Sequence, residues 1–503
     1  MLKKFSYCIL FVLLFYPAHP QKQDYIWVFG DSAGINFNNL VSPAPFTSVL
    51  QSAGDENYSS ISDKNGNLLF YLTGMEGPAS SFTFNHSKVF NSNFQLIVNG
   101  DSIPSDRSLT QGTLILPSLS DTNQYYLFYL SRNLSATGYP PGLYYAVIDM
   151  SSNGGLGEII SKNNLIRSFS NISEKLSAIR HGNGRDWWIL MHDYGNNAFY
   201  EYLLTPYGID SIPAQNIGSS YINSSGIQGQ MVFSKKGDKL CCAGTGQTGQ
   251  DGILDIFDYN RCTGILSNWI NLNDSLFPFY GCSFSSNGNV LYASTLFSPG
   301  RRLYQYDLTA SNIVGSKILL FIGHVNYQIG GHQIGPDDKI YIASEYNVQP
   351  DSIFSVHNMN LTVINSPDVY GSGCNISPYS FSLGGRRTKL DLPNMVNYNL
   401  SKDEGSPCDT IVSLHSLISV QNGITVYPNP ASDELNIDYF INKESNSLFE
   451  LQDIAGKKIF SEILNSSGHH VTLKTDKWEA GTYFYSIYNK NERIKNDKLI
   501  ILK

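Results

Sequence analysis

One pattern recurs along this chain, and its clearest copy is Cys282-Ser283-Phe284-Ser285-Ser286-Asn287-Gly288-Asn289-Val290-Leu291-Tyr292-Ala293. The copy begins with small and apolar residues, turns on Asn-Gly, and ends in a short run of β-forming residues. Asn-Gly between such runs predicts a tight hairpin, since both residues tolerate a positive φ. Further copies lie at 59–71, 232–240 and 332–343, and weaker ones at 113–129 and 177–190.

A strand-rich repeat of about fifty residues is typical of a β-propeller. One four-stranded blade cannot bury both of its faces, so blades gain stability by stacking around a common axis. We expect seven blades, and the visible copies leave six or eight blades as alternatives. The ring would close by pairing Tyr379–Leu383 with the early strand Tyr25–Phe29, which leaves no strand edge of the ring exposed.

The composition also predicts an all-β fold. Charged residues make up 15% and aromatic residues 13% of the 503 residues, with 43 Gly and 32 Tyr. This profile suits short strands joined by tight turns better than helices. The net charge of −8 and the pI near 5.7 offer no positive surface to a phosphate backbone, so we expect no nucleic-acid partner.

The last part of the chain, 424–503, has a different pattern. Tyr427-Pro428-Asn429-Pro430 opens it, runs of alternating apolar and polar residues follow, and Gly456 and Gly481 stand at turns. Such alternation buries one face of each strand and leaves the other in water. We therefore predict a small two-layer β-sandwich of about six short strands.

Taken in order, these motifs resemble the type A C-terminal sorting domain of the type IX (Por) secretion system. The resemblance implies passage across the outer membrane of a Bacteroidota-type cell, with the type IX secretion machinery as partner. It also implies removal of the domain, followed by release or by attachment to surface lipopolysaccharide. The residues that carry the resemblance are Tyr427, Pro428, Asn429, Pro430, Gly456, Gly481, Tyr483 and Lys503.

The N-terminus also indicates export. Lys3 and Lys4 precede the apolar run Phe5–Tyr16, which is too short for a membrane span and is typical of a signal peptide. We predict a signal peptide at 1–20, a propeller at 21–397, a polar linker at 398–423 and the sorting domain at 424–503. With no transmembrane anchor expected, the protein would pass through the periplasm and be secreted or held on the outer-membrane surface.

The body, residues 24–410, resembles uncharacterised secreted propellers of Bacteroidota, of the YVTN and WD40-like kind. The likeness rests on the opening Trp27–Asp31, on Leu392–Asn394, on the closing residues 405–410 and on the repeated Asn-Gly turns. The resemblance implies a β-propeller fold and implies no known reaction or ligand.

Six cysteines follow the predicted signal peptide, and an oxidising compartment permits disulfides between them. Cys374–Cys408 is the preferred pair, because it would clip the end of the large domain, and buried free thiols are the alternative. Cys-x-x-Cys and Cys/His ligand spacings are absent, so no zinc site is predicted.

Three motifs are similar to functional sites but lack the partners such sites need. Phe29–Ser32 is similar to the nucleophile block of GDSL esterases, yet the segments for the oxyanion donors and the general base are absent, so Ser32 is expected to be a turn residue. Gly244–Gly249 fits a dinucleotide fingerprint, but a strand rather than a helix follows it. Asp63–Gly66 could help to hold calcium or form a plain hairpin turn. We predict no catalytic, cofactor-binding or metal-binding residues, and no cofactor.

Two functions fit this sequence. The favoured one is a binding propeller that meets a glycan or a protein through loops at one end of the ring. The alternative is a propeller hydrolase or lyase that acts on polysaccharide with carboxylates near the axis, such as Asp193, Asp258 or Glu345. Because no paired carboxylates stand at a fixed spacing, an enzyme is less favoured. Four histidines at repeat positions are expected to be structural: His181, His192, His324 and His332.

Overall fold

The computed structural model describes residues 21–48, 56–73, 86–106, 108–132, 138–221, 227–244, 252–274, 278–296, 301–346, 353–409, 423–440, 447–464, 470–489 and 492–502. The predicted signal peptide lies outside these ranges. The fold is all-β, as predicted, and the helices within the ranges are short 3-10 turns at Asn153–Gly155, Val314–Ser316 and Gly371–Cys374. None of the described helices is long and apolar enough to cross a membrane.

The described strands between positions 26 and 382 form seven antiparallel sheets, here called sheets one to seven in chain order. Sheet one contains β1 (Ile26–Phe29), β2 (Ala33–Asn36) and β3 (Ala44–Thr47). Sheet two contains β4 (Tyr58–Ser62), β5 (Leu68–Thr73) and β6 (Lys88–Asn91). Sheet three contains β7 (Thr113–Pro117), β8 (Gln124–Ser131), β9 (Gly142–Asp149) and β10 (Glu158–Ser168).

The remaining four sheets repeat the same meander. Sheet four contains β11 (Leu176–Arg180), β12 (Trp187–His192), β13 (Ala198–Thr205), β14 (Gly208–Ser211) and β15 (Gln215–Asn216). Sheet five contains β16 (Met231–Phe233), β17 (Lys239–Gly244), β18 (Ile253–Asn260) and β19 (Ile265–Asn271). Sheet six contains β20 (Phe279–Phe284), β21 (Val290–Thr295), β22 (Arg302–Asp307) and β23 (Ile318–Ile322), and sheet seven contains β24 (Tyr327–Ile334), β25 (Ile340–Tyr346), β26 (Asn360–Ile364) and β27 (Ile376–Ser382).

The recurring sequence pattern forms the hairpin between the first two strands of a sheet. Between β4 and β5, the Asp63 carboxylate accepts the N–H groups of Asn65 and Asn67 at 2.8 and 2.9 Å. Gly66 takes a φ of +86°, which the turn requires and which glycine adopts without strain. The hairpin interpretation of Asp63–Gly66 is therefore confirmed.

Each sheet shares a buried core with the next sheet along the chain, and the first sheet also packs against the seventh. Trp27 of β1 is fully buried, and its ring centre lies 5.6 Å from that of Tyr341 in β25. On the other face of sheet one, Val28 shares a core with Tyr71 of β5. This circular succession buries both faces of every sheet, which none of the sheets could do alone.

The predicted closing pair is wrong. β27 pairs with β26 and β1 pairs with β2, so Tyr379–Leu383 does not pair with Tyr25–Phe29. Gly30 and Ser32 take φ values of 57° and 62° and turn the chain back into β2 directly after β1. The N–H of Asp31 in this turn donates to the carbonyl oxygen of Arg387, which lies beyond β27. Ser32 is thus a turn residue, as expected.

Residues Arg387–Tyr398, here called the central segment, run between the first strands of the sheets. From sheet two to sheet seven these first strands lie side by side, so together they surround the segment. The N–H of Asn394 donates to the carbonyl oxygen of Tyr58 at 2.8 Å, and the N–H of Gly331 donates to that of Leu390 at 2.8 Å. The segment is thereby bonded to sheets two and seven along its length.

Two glycines of β24 allow the central segment to pass this close. A Cβ on Gly330 would lie 1.8 Å from the carbonyl oxygen of Leu390, and a Cβ on Gly331 would lie 1.7 Å from Oδ1 of Asp391. No side chain fits at such distances, so the positions require glycine. The space between the first strands is therefore filled by the protein's own chain.

After the central segment the chain is fastened to sheet five. Cys408 forms a disulfide with Cys262, which lies 146 positions earlier in the turn between β18 and β19. The predicted pair Cys374–Cys408 is wrong, because Cys374 is a buried free thiol in the core between sheets six and seven. A disulfide therefore cross-links the end of the large domain, as expected, but the partner of Cys408 is Cys262.

The first residues of the predicted linker lie against the body. The N–H of Asp403 donates to the carbonyl oxygen of Gly182 at 2.8 Å, and the Arg261 guanidinium donates to that of Ser401 at 2.5 Å. Residues 410–422 lie outside the described ranges, and the domain boundaries stay predictions.

The described residues after 422 form two further antiparallel sheets. One has the order β28 (Gly423–Tyr427), β29 (Glu434–Phe440), β32 (His470–Lys474). The other has the order β31 (Lys458–Leu464), β30 (Ser447–Gln452), β33 (Gly481–Asn489), β34 (Glu492–Ile501). Leu435 and Ile437 of the first sheet and Phe449 and Ile487 of the second are fully buried in one shared core.

Candidate functional site

A cavity of 310 Å³ lies beside the last residues of the central segment. Its walls come from the first strands of sheets four to seven and from the residues that follow β16 and β24. Residues 394–397, and Asp24 and Tyr25 ahead of β1, complete the lining. Because the first strands converge here, residues far apart in sequence meet at one end of the assembly. This concave end is the candidate site.

Asp24 places a carboxylate at the cavity. The Trp27 indole N–H donates to the Asp24 carbonyl oxygen at 2.9 Å and fixes this turn of backbone. Oδ1 of Asp24 is buried and has no hydrogen-bond partner in the described part of the chain. Burial raises the pKa of Asp24 to about 6, against the opposing effects of its own backbone N–H and of Lys235.

His332 of β24 also lines the cavity, but its ring is fully engaged. Nδ1 lies 3.3 Å from Oγ of Ser283, and Nε2 lies 3.0 Å from Oγ of Ser294. Burial lowers the pKa of His332 to about 3, so the imidazole is neutral at physiological pH. A neutral ring bonded through both nitrogens holds strands together and has no nitrogen left to transfer a proton to a ligand.

Below the cavity, Asp391 of the central segment is enclosed by polar groups. The Tyr280 hydroxyl donates to Oδ2 at 3.2 Å, and the Gln230 amide donates to Oδ1 at 3.3 Å. Burial raises the pKa of Asp391 well above its usual value. The carboxyl group therefore serves as a link between the central segment and sheets five and six.

A buried ionic cluster was missed by sequence reasoning. Glu174, fully buried ahead of β11, accepts from Arg132 at 2.5 Å and from the Thr110 hydroxyl at 3.0 Å. Arg132 also lies 3.4 Å from Asp106. The adjacent pair Glu174-Lys175 precedes the weak repeat copy at 177–190 and gave no signal of burial, because charged residues are mostly exposed.

The other three histidines lie apart from the cavity. His192 is buried at the end of β12, with Nδ1 2.7 Å from the carbonyl oxygen of Asp193, and burial lowers its pKa to about 3. Nε2 of His181 lies 3.1 Å from the carbonyl oxygen of Cys262. His324 is exposed, with its ring centre 4.3 Å from that of His357.

The three carboxylates of the hydrolase hypothesis stand on different sheets, and each has its own partner. Asp193 caps the turn after β12, where it accepts the N–H of Tyr194 at 2.8 Å. Asp258 of β18 pairs with Lys239 at 2.7 Å, and Glu345 of β25 lies 3.7 Å from Lys389. None of the three lines the 310 Å³ cavity.

The remaining motifs have structural positions. Gly244 ends β17 and the strand β18 begins at Ile253, as predicted, while residues 245–249 of the fingerprint lie outside the described ranges. Among the described residues no three His, Cys, Asp or Glu side chains are grouped closely enough to hold a metal ion. The predicted lack of metal and cofactor sites stays a prediction.

The Tyr427–Pro430 motif attaches the start of the C-terminal unit to its last strand. The Asn429 side-chain amide donates to the Lys498 carbonyl oxygen at 2.7 Å, and its Oδ1 accepts the N–H of Ile500 at 3.0 Å. Pro428 and Pro430 have no N–H groups, so the asparagine amide takes the place of a peptide group along this edge. The main chain resumes the pairing at Ala431, which bridges Ile501 in parallel.

The other motif residues stabilise turns of the same unit. Gly456 takes a φ of +78° in a turn where the Asp453 carboxylate accepts the N–H groups of Ala455 and Lys457 at 2.9 Å each. Gly481 begins β33, and the Tyr483 hydroxyl donates to the carbonyl oxygen of Glu479 at 2.8 Å. Lys503 lies outside the described residues.

The solved structures to which this chain is similar share little sequence with it. A putative 6-phosphogluconolactonase from Bacteroides uniformis is 11% identical, covering 66% of this chain and 95% of its own, with a TM-score of 0.39. A periplasmic gluconolactonase from Pseudomonas aeruginosa is 10% identical, covering 80% and 98%, with a TM-score of 0.37. A Lactobacillus plantarum protein is 9% identical, covering 80% and 99%, with a TM-score of 0.38. No curated protein sequence matches the chain.

A family model does match the C-terminal unit. Residues 425–502 match the family described as secretion system C-terminal sorting domain, which confirms the prediction for this part of the chain. The match supports export of the protein through the type IX secretion system. Residues 425–502 are therefore a secretion system C-terminal sorting domain.

Proposed function

We propose that this protein is a secreted or cell-surface binding protein that meets a glycan or a protein through loops at one end of a β-propeller. The seven sheets are its seven blades, and the two C-terminal sheets form a β-sandwich that directs export. The signal peptide at 1–20 would be removed in the periplasm. The sorting domain would be removed later, with release or attachment to lipopolysaccharide.

The cavity beside the central segment is the observation that carries this proposal. The central segment passes between the first strands of the described sheets, and the cavity lies beside its last residues. A ligand would meet a concave surface at one end, lined by residues of β11, β16, β20 and β24 and by the residues that follow β16 and β24. A concave site to which several sheets contribute suits recognition of an exposed group on a larger molecule.

The alternative, a propeller-type polysaccharide hydrolase or lyase, has less support. Such an enzyme would need two carboxyl groups roughly 5 to 10 Å apart that face one pocket. Asp258 lines a second pocket together with Asp238 and Asp403, but it pairs with Lys239 at 2.7 Å. Asp193 and Glu345 stand on other sheets, where each is engaged by its own neighbours. We therefore favour binding over catalysis.

Screening residues 21–503 against glycan arrays and surface-protein arrays tests the proposal. Gln333 lines the cavity at the end of β24 and is only half-buried, so Gln333→Trp should obstruct the cavity without disturbing a core. Gln95→Trp, at an exposed position outside the cavity, is the matched control. We expect a ligand that the wild type and the control bind and that Gln333→Trp does not.

If no ligand binds on either array, the proposed binding function loses its support. If the Gln333→Trp variant binds a ligand as tightly as the wild type does, the binding site lies outside the cavity. Release of sugar from any arrayed polysaccharide would favour the enzymatic alternative.

A further inference from the structure

The lining of the cavity is balanced in charge. Its two charged residues, Asp24 and Lys235, are opposite in sign and attract each other. The buried residues of the described lining are uncharged, and burial lowers the pKa of His332 and keeps its imidazole neutral. An ionised ligand group would leave water here without gaining a counter-ion of its own, which is unfavourable. The cavity therefore favours an uncharged ligand.

The most deeply buried polar side chains of the lining are bonded within the protein. Oδ1 of Asn394 accepts from the Gln111 amide at 3.3 Å, and Gln111 also bonds the main-chain N–H and carbonyl groups of Met231 at 2.6 and 3.2 Å. The His332 ring is bonded to two serines through its two nitrogens. These side chains fix the shape of the cavity, and the hydrogen bonds to a ligand must come from other residues.

Two side chains of the lining retain hydrogen-bonding capacity. Ser177 of β11 is 6% exposed, and its hydroxyl forms no hydrogen bond with any described residue. The hydroxyl keeps some accessible surface, and Ser177 lines the cavity, so the hydroxyl can both donate to a ligand and accept from it. The Gln333 amide donates to the carbonyl oxygen of Ile334 at 3.2 Å. Within the described part of the chain, Oε1 of Gln333 is thus left as an acceptor.

Apolar side chains line the same cavity. Ile179 and Phe284 are buried, and Met395 of the central segment is half-buried. A sugar ring has C–H groups on its faces and hydroxyl groups around its edge, so it can contact apolar side chains and bond polar ones together. The volume of 310 Å³ lies at the lower end of the range of about 300 to 1,000 Å³ for small-molecule sites. This size suits one ring better than several.

We infer that the cavity binds one uncharged sugar residue of a glycan, whose hydroxyl groups bond to the Ser177 hydroxyl and to Oε1 of Gln333. The inference rests on the proposed binding function and narrows it to a glycan with a neutral residue. The C–H groups of the sugar would contact Ile179, Phe284 and Met395. A ligand without hydroxyl groups would leave the Ser177 hydroxyl without a partner.

The test uses residues 21–503 and three neutral probes, the methyl pyranosides of glucose, galactose and mannose. Each probe is compared with its 6-carboxylate and its 6-amino-6-deoxy form, which differ from it only at C6 and carry a negative and a positive charge. Nα-acetyl-serine methylamide, a neutral hydroxyl on a peptide unit, represents a protein ligand. Ligand-observed NMR measures the affinities. We expect at least one neutral pyranoside to bind, and both of its charged forms and the serine probe to bind about tenfold more weakly.

Ser177→Ala should weaken binding of that pyranoside roughly threefold to tenfold, because one hydrogen bond is lost. Ser48→Ala is the matched control, since Ser48 is also buried, its hydroxyl has no hydrogen-bond partner among the described residues, and it does not line the cavity. Thermal melting checks that both variants are folded. The discrimination between neutral and charged probes is measured on the unmutated protein, so that result does not depend on the variants.

Equal binding of a neutral pyranoside and its charged forms would overturn the inference, as would unchanged binding in Ser177→Ala. Binding of the serine probe as tightly as any sugar would also overturn it and assign the cavity to a protein ligand. If the arrays yield a ligand while no pyranoside binds, the binding function stands and only this inference fails. If neither the arrays nor the probes show binding, both proposals are contradicted.

Discussion

The side-chain amide of Asn394 donates a hydrogen bond to the main-chain carbonyl oxygen of Thr113 at 2.9 Å, across 281 positions of sequence. The same amide donates to the carbonyl oxygen of Leu176 at 2.9 Å. One buried side chain of the central segment therefore joins the first strands of sheets three and four. These bonds tie the end of the large domain to its early sheets.

Replacing Asn394 with alanine should lower the free energy of unfolding by roughly 2 to 6 kcal/mol, because two buried carbonyl oxygens lose their donor at about 1 to 3 kcal/mol each. Urea unfolding followed by tryptophan fluorescence measures this. Asn397→Ala is the control, since Asn397 is only half-buried and its side-chain amide donates to the carbonyl oxygen of Lys235. If the free energy of unfolding falls no further than it does in the control variant, the hydrogen bonds of the central segment contribute little to stability.

The Cys262–Cys408 disulfide should be the only one that forms in residues 21–503. Cys241, Cys242, Cys282 and Cys374 are buried free thiols, so a thiol reagent should find no reactive cysteine in the native protein and four after denaturation without reductant. Cys408→Ser should lower the free energy of unfolding by roughly 2 to 4 kcal/mol. Detection of fewer than four thiols in the denatured, unreduced protein would contradict this pairing.

Glu201 should make the protein less stable as the pH rises. Burial raises its pKa to about 8 from 4.5, so the folded state holds a proton that the unfolded state releases. The stabilisation that protonated Glu201 gives the folded state is complete below about pH 4.5. It is lost as the pH rises through about 8, and the free energy of unfolding falls by up to about 1.4 kcal/mol per pH unit.

Glu201→Gln imitates the protonated acid and can keep a bond to Gln215, whose amide donates to Glu201 at 2.7 Å. Unfolding free energies of this variant and the wild type should agree near pH 5 and diverge by pH 9, with the variant more stable. A constant difference between pH 5 and 9 would mean that Glu201 is ionised throughout.

Asn429→Ala should expose the outer edge of β34. The N–H of Ile500 donates to the Asn429 side chain, so its loss should speed amide hydrogen exchange in peptides that cover 492–502. Peptides from β31, on the opposite edge of the same sheet, are the internal control. Unchanged exchange at 492–502 would show that the proline-flanked asparagine does not protect this strand.

The sequence predicted local features far better than distant pairings. The turn at Asp63–Gly66 and the strand from Ile253 follow from neighbouring residues, and both predictions are confirmed. The segment around Leu392–Asn394 was noted only as part of a resemblance, because its partners, such as Thr113 and Leu176, lie hundreds of positions away. Nothing in the local pattern shows that these residues fill the centre of the protein.

The wrong predictions have the same origin. The strand pair Tyr379–Leu383 with Tyr25–Phe29 and the disulfide Cys374–Cys408 both required knowing which distant parts of the chain meet. Gly30 and Ser32 turn the chain into β2. The chain that follows the central segment places Cys408 beside Cys262 of sheet five. The cavity also gave no sequence signal, because its walls come from four different sheets.

Deletion of residues 424–503 tests most directly whether this protein works outside the cell. The full chain and the truncated chain, expressed in a Bacteroidota host that has the type IX machinery, are compared by immunoblot of the periplasm, the cell surface and the medium. The account predicts that the full chain reaches the surface or the medium while the truncated chain stays in the periplasm. Equal amounts of both chains outside the cell would contradict it.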